Sequence, residues 1–169
     1  MNDRRAQDDQ DVWEAACTQL LREWVVAREP AWLPLNGRSM APFLPGGSKI
    51  LVSRTAAGQI GWGDLLVYGV EGRLVCHRVL RRRGKGGRHL FLTKGDGRRT
   101  IESWVAEEQV LGRVLRVERE GRLVDLNTPI RRLQAVAIAA ASLVIIGGRA
   151  LFRWGKQQVT GRGTWARTS

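Results

Sequence analysis

Short β-prone runs separated by glycine-containing breaks are the feature that most constrains how this chain can fold. Most of these runs are rich in valine, leucine, isoleucine and aromatic residues, the types that favour strands. The runs are Trp32–Leu35, Ile50–Ser53, Leu65–Val70, Arg73–Leu80, His89–Thr93, Val110–Arg119 and Arg122–Leu126. Turn-forming pairs such as Gly46-Gly47, Glu71-Gly72 and Glu120-Gly121 lie between them. This spacing predicts a mainly antiparallel β domain rather than an alternating βαβ architecture.

Helical patterns flank the β region on both sides. Asp11–Glu29 repeats apolar residues at spacings of three and four and stops before Pro30, which predicts an N-terminal amphipathic helix. Leu133–Ile146 is almost wholly apolar and predicts a C-terminal helix that extends towards Phe152. We therefore divide the chain into a tail and helix (1–30), a β domain (31–127), and an apolar helix with a basic tail (128–169).

The charge balance indicates a negatively charged neighbour. The 169 residues include 28 Lys and Arg against 16 Asp and Glu, a net charge of +12. The tail from Ile130 to Ser169 contains basic residues and no acidic residue. Either nucleic acid or an anionic membrane surface would fit this charge, and basic residues at both ends of an apolar run favour the membrane. A membrane span, an interfacial helix and a helix docked on the domain all remain open.

A serine and a histidine are the candidate catalytic pair. Ser39 lies in the glycine- and proline-containing stretch Gly37–Pro42, where a tight loop can expose its hydroxyl. A serine hydroxyl needs a nearby base to act as a nucleophile. His77 lies within an apolar β-run, whose aliphatic neighbours favour the neutral, basic form of the imidazole. Strand alternation turns Cys76 to the opposite face, so a pair of Cys76 with His77 is disfavoured.

Two acidic residues could orient the histidine. Asp96 lies in Lys94–Gly97, and Glu102 follows six residues later. Either carboxylate could accept the second imidazole N–H of His77 and fix its tautomer. With only two cysteines, the sequence implies no disulfide framework, metal or cofactor.

Four sequence boxes in order resemble the signal peptidase I family. They are Ser-Met-x-Pro, Gly-Asp-Leu-Leu-Val, His-Arg-Val-Leu and Thr-Lys-Gly-Asp, and the similarity extends from about Leu35 to Val117. The likeness is to the ER and archaeal branch, in which histidine replaces the lysine of the common bacterial enzymes. It implies a signal-peptidase/LexA-like antiparallel β catalytic domain in residues 31–127, with the N-terminal and C-terminal helices outside it.

The same resemblance implies a serine endopeptidase that cleaves after small side chains without a cofactor. It assigns Ser39 as the nucleophile and His77 as the general base. Glu102 falls at the position of the branch's acidic residue, with Asp96 as the alternative.

Three departures from the family shape the expected location and substrate. The box after the serine ends Gly47-Ser48 where the family usually has Gly-Asp, and Gly37 stands where some members carry a hydroxyl. The N-terminal stretch also lacks the family's usual membrane anchor. We therefore expect a cytoplasmic catalytic domain that acts on a peptide or protein precursor, with residues 133–152 as its candidate membrane contact.

Two other function classes remain as alternatives. A LexA-type self-cleaving regulator would use a lysine base, whereas His77 fills that position, and only one helix fits before Pro30 where a helix-turn-helix would need two. A non-catalytic membrane- or nucleic-acid-binding module would use the basic run Arg81–Lys85 and the tail. Nucleic acid is disfavoured as a partner because no aromatic residues are interleaved with these basic residues.

Overall fold

The described part of the chain covers the β region and the C-terminal helix. The computed structural model describes residues 30–70, 72–101 and 103–160, together with Gln19, Leu20, Glu23 and Ala27; the side chains of Lys85 and of residues 147–160 are not described. Gln19 and the other three of these residues before Pro30 are helical. Gln19 Nε2 donates to Glu23 Oε1 one turn later (2.9 Å). The other residues of the predicted helix Asp11–Glu29 lie outside the described residues.

In the described part of the chain, eight strands form one antiparallel sheet, so the prediction of a mainly antiparallel β fold is confirmed. The strands are β1 (Ala31–Leu35), β2 (Ser48–Ser53), β3 (Leu65–Val70), β4 (Arg73–Lys85), β5 (Arg88–Lys94), β6 (Trp104–Ala106), β7 (Val110–Arg119) and β8 (Arg122–Asp125). Their order is β1-β2-β7-β3-β4-β5-β6, and β8 also pairs with β7. The seven predicted runs correspond to every strand except β6, which the sequence analysis missed.

The sheet separates two hydrophobic clusters. One contains Val67 with residues of β2 and β7, and the other contains Leu66 with residues of β4, β5 and β6. Adjacent residues of β3 therefore contribute to different clusters, because successive side chains of a strand point to opposite faces. The long strand β7 pairs with β2, β3 and β8, and so joins the parts of the sheet.

Two hairpins place the residues of the candidate site. In β3–β4, Leu66 lies opposite His77 and Tyr68 lies opposite Val75. The β4–β5 hairpin turns at Gly86-Gly87, whose φ angles are +60° and +78°. Positive φ at both turn residues suits a tight two-residue hairpin, and glycine adopts it without a steric penalty.

The C-terminal helix (Pro129–Thr160) is mostly apolar, as predicted, and starts against the sheet. A Cβ on Gly63 would lie 2.6 Å from the carbonyl carbon of Ala135, so this close packing requires glycine. One turn further along the helix, Ala139 is fully buried. By length and composition, Pro129–Ile146 could cross a membrane, with a mean hydropathy of 1.6.

Candidate active site

Ser39 lies in the loop that follows β1. Within this loop the Leu44 N–H donates to the Met40 carbonyl (2.9 Å), and the Gly47 N–H donates back to the Leu35 carbonyl (2.8 Å). Met40 and Leu44 are buried in the first hydrophobic cluster. Since the loop is anchored on both sides of Ser39, this partly exposed residue is held in place at the surface of the domain.

His77 meets Ser39 across 38 residues of sequence. The distance between His77 Nε2 and Ser39 Oγ is 3.1 Å, which is within hydrogen-bond reach. His77 is only 2% exposed, because β4 carries it into the interior beside the second hydrophobic cluster. The structure therefore brings together the nucleophile and the base that the sequence predicted.

Two buried hydroxyls continue the contact on the other side of the imidazole. His77 Nδ1 lies 3.0 Å from Tyr68 Oη, which in turn lies 3.0 Å from Thr93 Oγ1. For Nε2 to accept the Ser39 proton, the ring must carry its own proton on Nδ1. Nδ1 then donates to Tyr68, and the Tyr68 hydroxyl donates to Thr93. In this tautomer, the chain of contacts from His77 through Tyr68 to Thr93, which we call the relay, leaves Nε2 able to accept a proton.

Asp96 does not contact the imidazole, which corrects its predicted role as orienter. Its two carboxylate oxygens accept from Arg78 Nε (2.8 Å) and Arg78 Nη2 (2.6 Å). Both side chains are almost fully buried. Arg78 follows His77 directly on β4, and strand alternation turns it to the opposite face. Asp96 therefore binds the neighbouring arginine instead of the histidine.

The loop after β5 clamps the serine loop. Gly97 N–H donates to the Ser39 carbonyl (2.8 Å). A Cβ on Gly95 would lie 2.6 Å from the same carbonyl and 3.1 Å from His77 Nε2. Only a residue without a side chain allows both approaches, so Gly95 sets the spacing between nucleophile and base.

Lys94 and Arg78 form hydrogen bonds that hold the loop of residues 95–97 in place. Lys94 is buried, and its Nζ donates to the carbonyls of Gly95 (3.0 Å) and Asp96 (3.5 Å). Arg78 Nη1 donates to the Gly63 carbonyl (2.8 Å), which ties the loop to the turn before β3. The two cations thus act on the backbone geometry around Ser39.

Cys76 has an unreactive thiol in the folded protein. Burial raises the pKa of its thiol to about 12, an effect that neighbouring Arg78 only partly offsets. It packs in the first hydrophobic cluster, on the opposite face of β4 from His77. A thiol that stays protonated is a poor nucleophile, so this geometry supports the earlier exclusion of a pair of Cys76 with His77.

Glu102 lies outside the described residues, so its predicted role as the acidic third residue stays a prediction. Sequence reasoning missed Tyr68, Thr93 and Gly95 as site residues. Tyr68 could have been found from the sequence: the two residues Glu71-Gly72 between the predicted strands favour a tight hairpin, and the register that places Val70 opposite Arg73 makes Tyr68 a diagonal neighbour of His77.

The site has the parts needed for nucleophilic catalysis at a carbonyl: a hydroxyl, a buried imidazole next to it, and a relay that orients the imidazole. Within the described residues, no group of three or more His, Cys, Asp or Glu side chains is placed to hold a metal ion. No known protein-family model matches the chain, and no curated protein matches its sequence.

Proposed function

We propose that this protein is a serine endopeptidase with Ser39 as the nucleophile and His77 as the general base. The contact of 3.1 Å between Ser39 Oγ and His77 Nε2 carries the proposal. The alternative is a core histidine with a purely structural role, but such a residue does not require a loop serine within hydrogen-bond distance of its Nε2. The clamp at Gly95, which keeps this nitrogen next to Ser39, supports a working pair.

In the proposed mechanism, Ser39 Oγ attacks the scissile carbonyl while its proton moves to His77 Nε2. The backbone N–H of Ser39 donates to the oxyanion that develops on the carbonyl oxygen. The imidazolium then returns its proton to the leaving amine, and the acyl-enzyme remains. Water, deprotonated by His77, attacks the ester carbon and releases the acid product and the serine.

Tyr68 would stabilise the imidazolium by accepting from Nδ1–H throughout this cycle. Its hydroxyl stays within the relay by donating to Thr93. Neither side chain needs to ionise, because both only keep the proton on Nδ1. This role is the one that an acidic residue plays in many serine hydrolases.

We further infer a signal-peptidase/LexA-like fold and a peptide or protein precursor as the substrate. The four sequence boxes support this inference, together with the way their residues converge around Ser39. A self-cleaving regulator with a lysine base is less consistent with the geometry, since Lys94 Nζ bonds to the backbone of its own loop. A cytoplasmic catalytic domain remains part of the proposal.

Comparison of new peptide termini tests the proposal. Purified protein and its Ser39→Ala variant are incubated with a cellular peptidome, and the new termini are identified by mass spectrometry. We expect termini after small side chains with the wild type and none with Ser39→Ala. Ser103→Ala, a change at an exposed serine, is the matched control and should behave as the wild type. New termini that persist with Ser39→Ala would contradict the assignment.

A His77→Gln variant tests whether the two residues act as a unit. We expect losses of at least about 10³-fold for each single variant, with the Ser39→Ala/His77→Gln double variant little worse than either. Additive losses, measured as kcat/KM on a peptide found in the first experiment, would argue that the two residues work independently.

A further inference from the structure

Among the described residues, one apolar face of the C-terminal helix packs on the sheet and a second apolar face is exposed. Ala135, Ile138 and Ala139 face the sheet. On the opposite side, Ile130, Leu133 and Val144 are 71%, 72% and 74% exposed. Their spacing of three and eleven residues keeps them on one face of the helix. Exposure of such an apolar stripe to water is unfavourable, which indicates that another surface covers it.

The charges of this helix indicate the chemistry of that partner. Arg131 and Arg132 are exposed at the start of the helix, on the side that borders the groove next to the sheet, and no acidic residue occurs between Ile130 and Ser169. A groove of about 440 Å³ runs between the helix and the sheet, and its rim includes both arginines and Arg113. Arg113 Nη1 pairs with Asp64 Oδ2 (3.6 Å), while its Nε is buried and has no hydrogen-bond acceptor in the part of the chain that the structure describes. The two exposed arginines keep the groove positively charged. An anionic group would therefore be attracted to this groove.

We propose that this helix docks the domain on an anionic phospholipid bilayer and lies in the plane of the membrane surface. The stripe of Ile130, Leu133 and Val144 enters the apolar layer. The long side chains of Arg131 and Arg132 extend from the other side of the helix to the headgroup phosphates. An apolar face on a helix whose charged residues are all basic is the arrangement of an interfacial helix.

The packing of the helix decides against a membrane span. A span needs about 20 consecutive residues free of the protein's water-soluble part. The first turns of this helix are fixed to the domain, because Ala135 contacts Gly63 and Ala139 is fully buried. The residues that follow Ile146 include Arg149, Arg153 and Lys156, which would be costly in a bilayer core. The helix can contact the membrane with its exposed face while its other face stays on the sheet.

Vesicle flotation of the full-length protein tests the proposal. Vesicles of phosphatidylcholine are compared with vesicles that also contain phosphatidylglycerol, and bound protein is then extracted with alkaline carbonate. We expect flotation only with the anionic vesicles and release by carbonate. Arg131→Gln/Arg132→Gln should weaken the partition about thirtyfold. Leu133→Gln/Val144→Gln should abolish flotation.

A hairpin variant provides the matched control. Arg81→Gln/Arg88→Gln removes the same number of charges from exposed positions on β4 and β5 and should bind as the wild type. Circular dichroism and thermal midpoints check that every variant folds. Four results would overturn the proposal: no flotation, an equal loss in the control, resistance to carbonate, or a dimer in solution that Leu133→Gln dissociates. The last would show that a second copy covers the stripe.

Discussion

The two faces of strand β4 carry different kinds of buried, hydrogen-bonded groups. We call the face of His77 the catalytic face, after its proposed role, and the face of Arg78 the architectural face. On one face, His77 joins a relay of neutral groups through Tyr68 and Thr93. On the other face, its neighbour Arg78 forms a buried ion pair with Asp96. Both faces are buried and hydrogen-bonded, but one uses hydroxyls and an imidazole and the other a charged guanidinium and carboxylate.

The difference follows from what each face must do. A hydroxyl can donate or accept, so a relay of hydroxyls can follow a proton as it moves onto the imidazole. A guanidinium only donates and a carboxylate only accepts, so their pairing has one direction and two fixed bonds. The first arrangement suits proton transfer, and the second suits holding the loop that positions Ser39.

Breaking the ion pair should give the largest effect on stability. Asp96→Asn removes the charge that balances Arg78 in a nearly dry site, and we expect a loss of about 3–5 kcal/mol in the free energy of unfolding. Urea unfolding measures it. Glu118→Gln, which breaks the exposed pair with Lys49, is the control and should change stability little. If Asp96→Asn were as stable as the wild type but inactive, Asp96 would belong to the catalytic face.

The clamp at Gly95 links the two faces, and adding a methyl group there should harm catalysis more than folding. The new Cβ of Gly95→Ala must push the Ser39 carbonyl away, and displacement of a nucleophile by about 1 Å costs on the order of 100-fold in rate. We expect that loss in kcat/KM. Gly58→Ala is the control, because a Cβ there meets nothing within 4 Å. Equal activity of Gly95→Ala and Gly58→Ala would show that the serine loop is not clamped.

Most strands could be predicted from the sequence because alternating apolar runs and glycine turns are local signals. The predicted end of β4 at Leu80 was too early. The basic residues after it read as a loop, whereas the turn at Gly86-Gly87 sets the true end of the strand at Lys85. Strand β6 was missed because three residues, Trp104–Ala106, are too few to show a period.

The approach of Ser39 to His77 could be predicted from motif order, but the contacts of His77 with Tyr68 and of Tyr68 with Thr93 could not. A β-bulge between Val79 and Arg81 shifts the β4–β5 register, so that Thr93 pairs with Val79. Without the bulge, counting from the turn would pair Thr93 with Leu80, on the wrong face of the strand. A bulge depends on how the two strands pack in the folded sheet, so the local sequence does not predict its position. Asp96 stayed open as the alternative to Glu102 for a related reason, since the sequence does not show that it meets the face of β4 that carries Arg78.

Removing the end of the relay should have a smaller, purely catalytic effect. Thr93→Val keeps the shape but takes away one acceptor of the Tyr68 hydroxyl, which can then donate to Nδ1 more often and stabilise the wrong tautomer. We expect kcat to fall about tenfold with KM unchanged. Thr93→Ser, which restores the hydroxyl, should recover most of the rate. Full activity of Thr93→Val, measured at several pH values, would remove Thr93 from the catalytic face.

The smallest expected effect on stability concerns Cys76, which lies with Arg78 on the face of β4 opposite His77. Burial raises its pKa from 9.0 to about 12, so above pH 9 the unfolded chain releases a proton that the folded protein keeps. The unfolded state then binds fewer protons, and stability falls as pH rises from 9 towards 12, by about 1.4 kcal/mol for each pH unit. Cys76→Ala lacks this contribution.

Urea unfolding of the wild type and Cys76→Ala, compared between pH 8 and pH 10, isolates the thiol from the other groups that titrate in both proteins. At pH 8 the wild type should be the more stable, because the variant leaves a small cavity. Since only the wild type loses stability through thiol ionisation in the unfolded chain, this advantage should shrink by about 1.4 kcal/mol at pH 10. Parallel curves would mean that the thiol ionises equally in both states, and that this face of β4 admits water. The ion pair of Arg78 with Asp96 could then not be as dry as the geometry indicates, and the expected loss in Asp96→Asn would shrink with it.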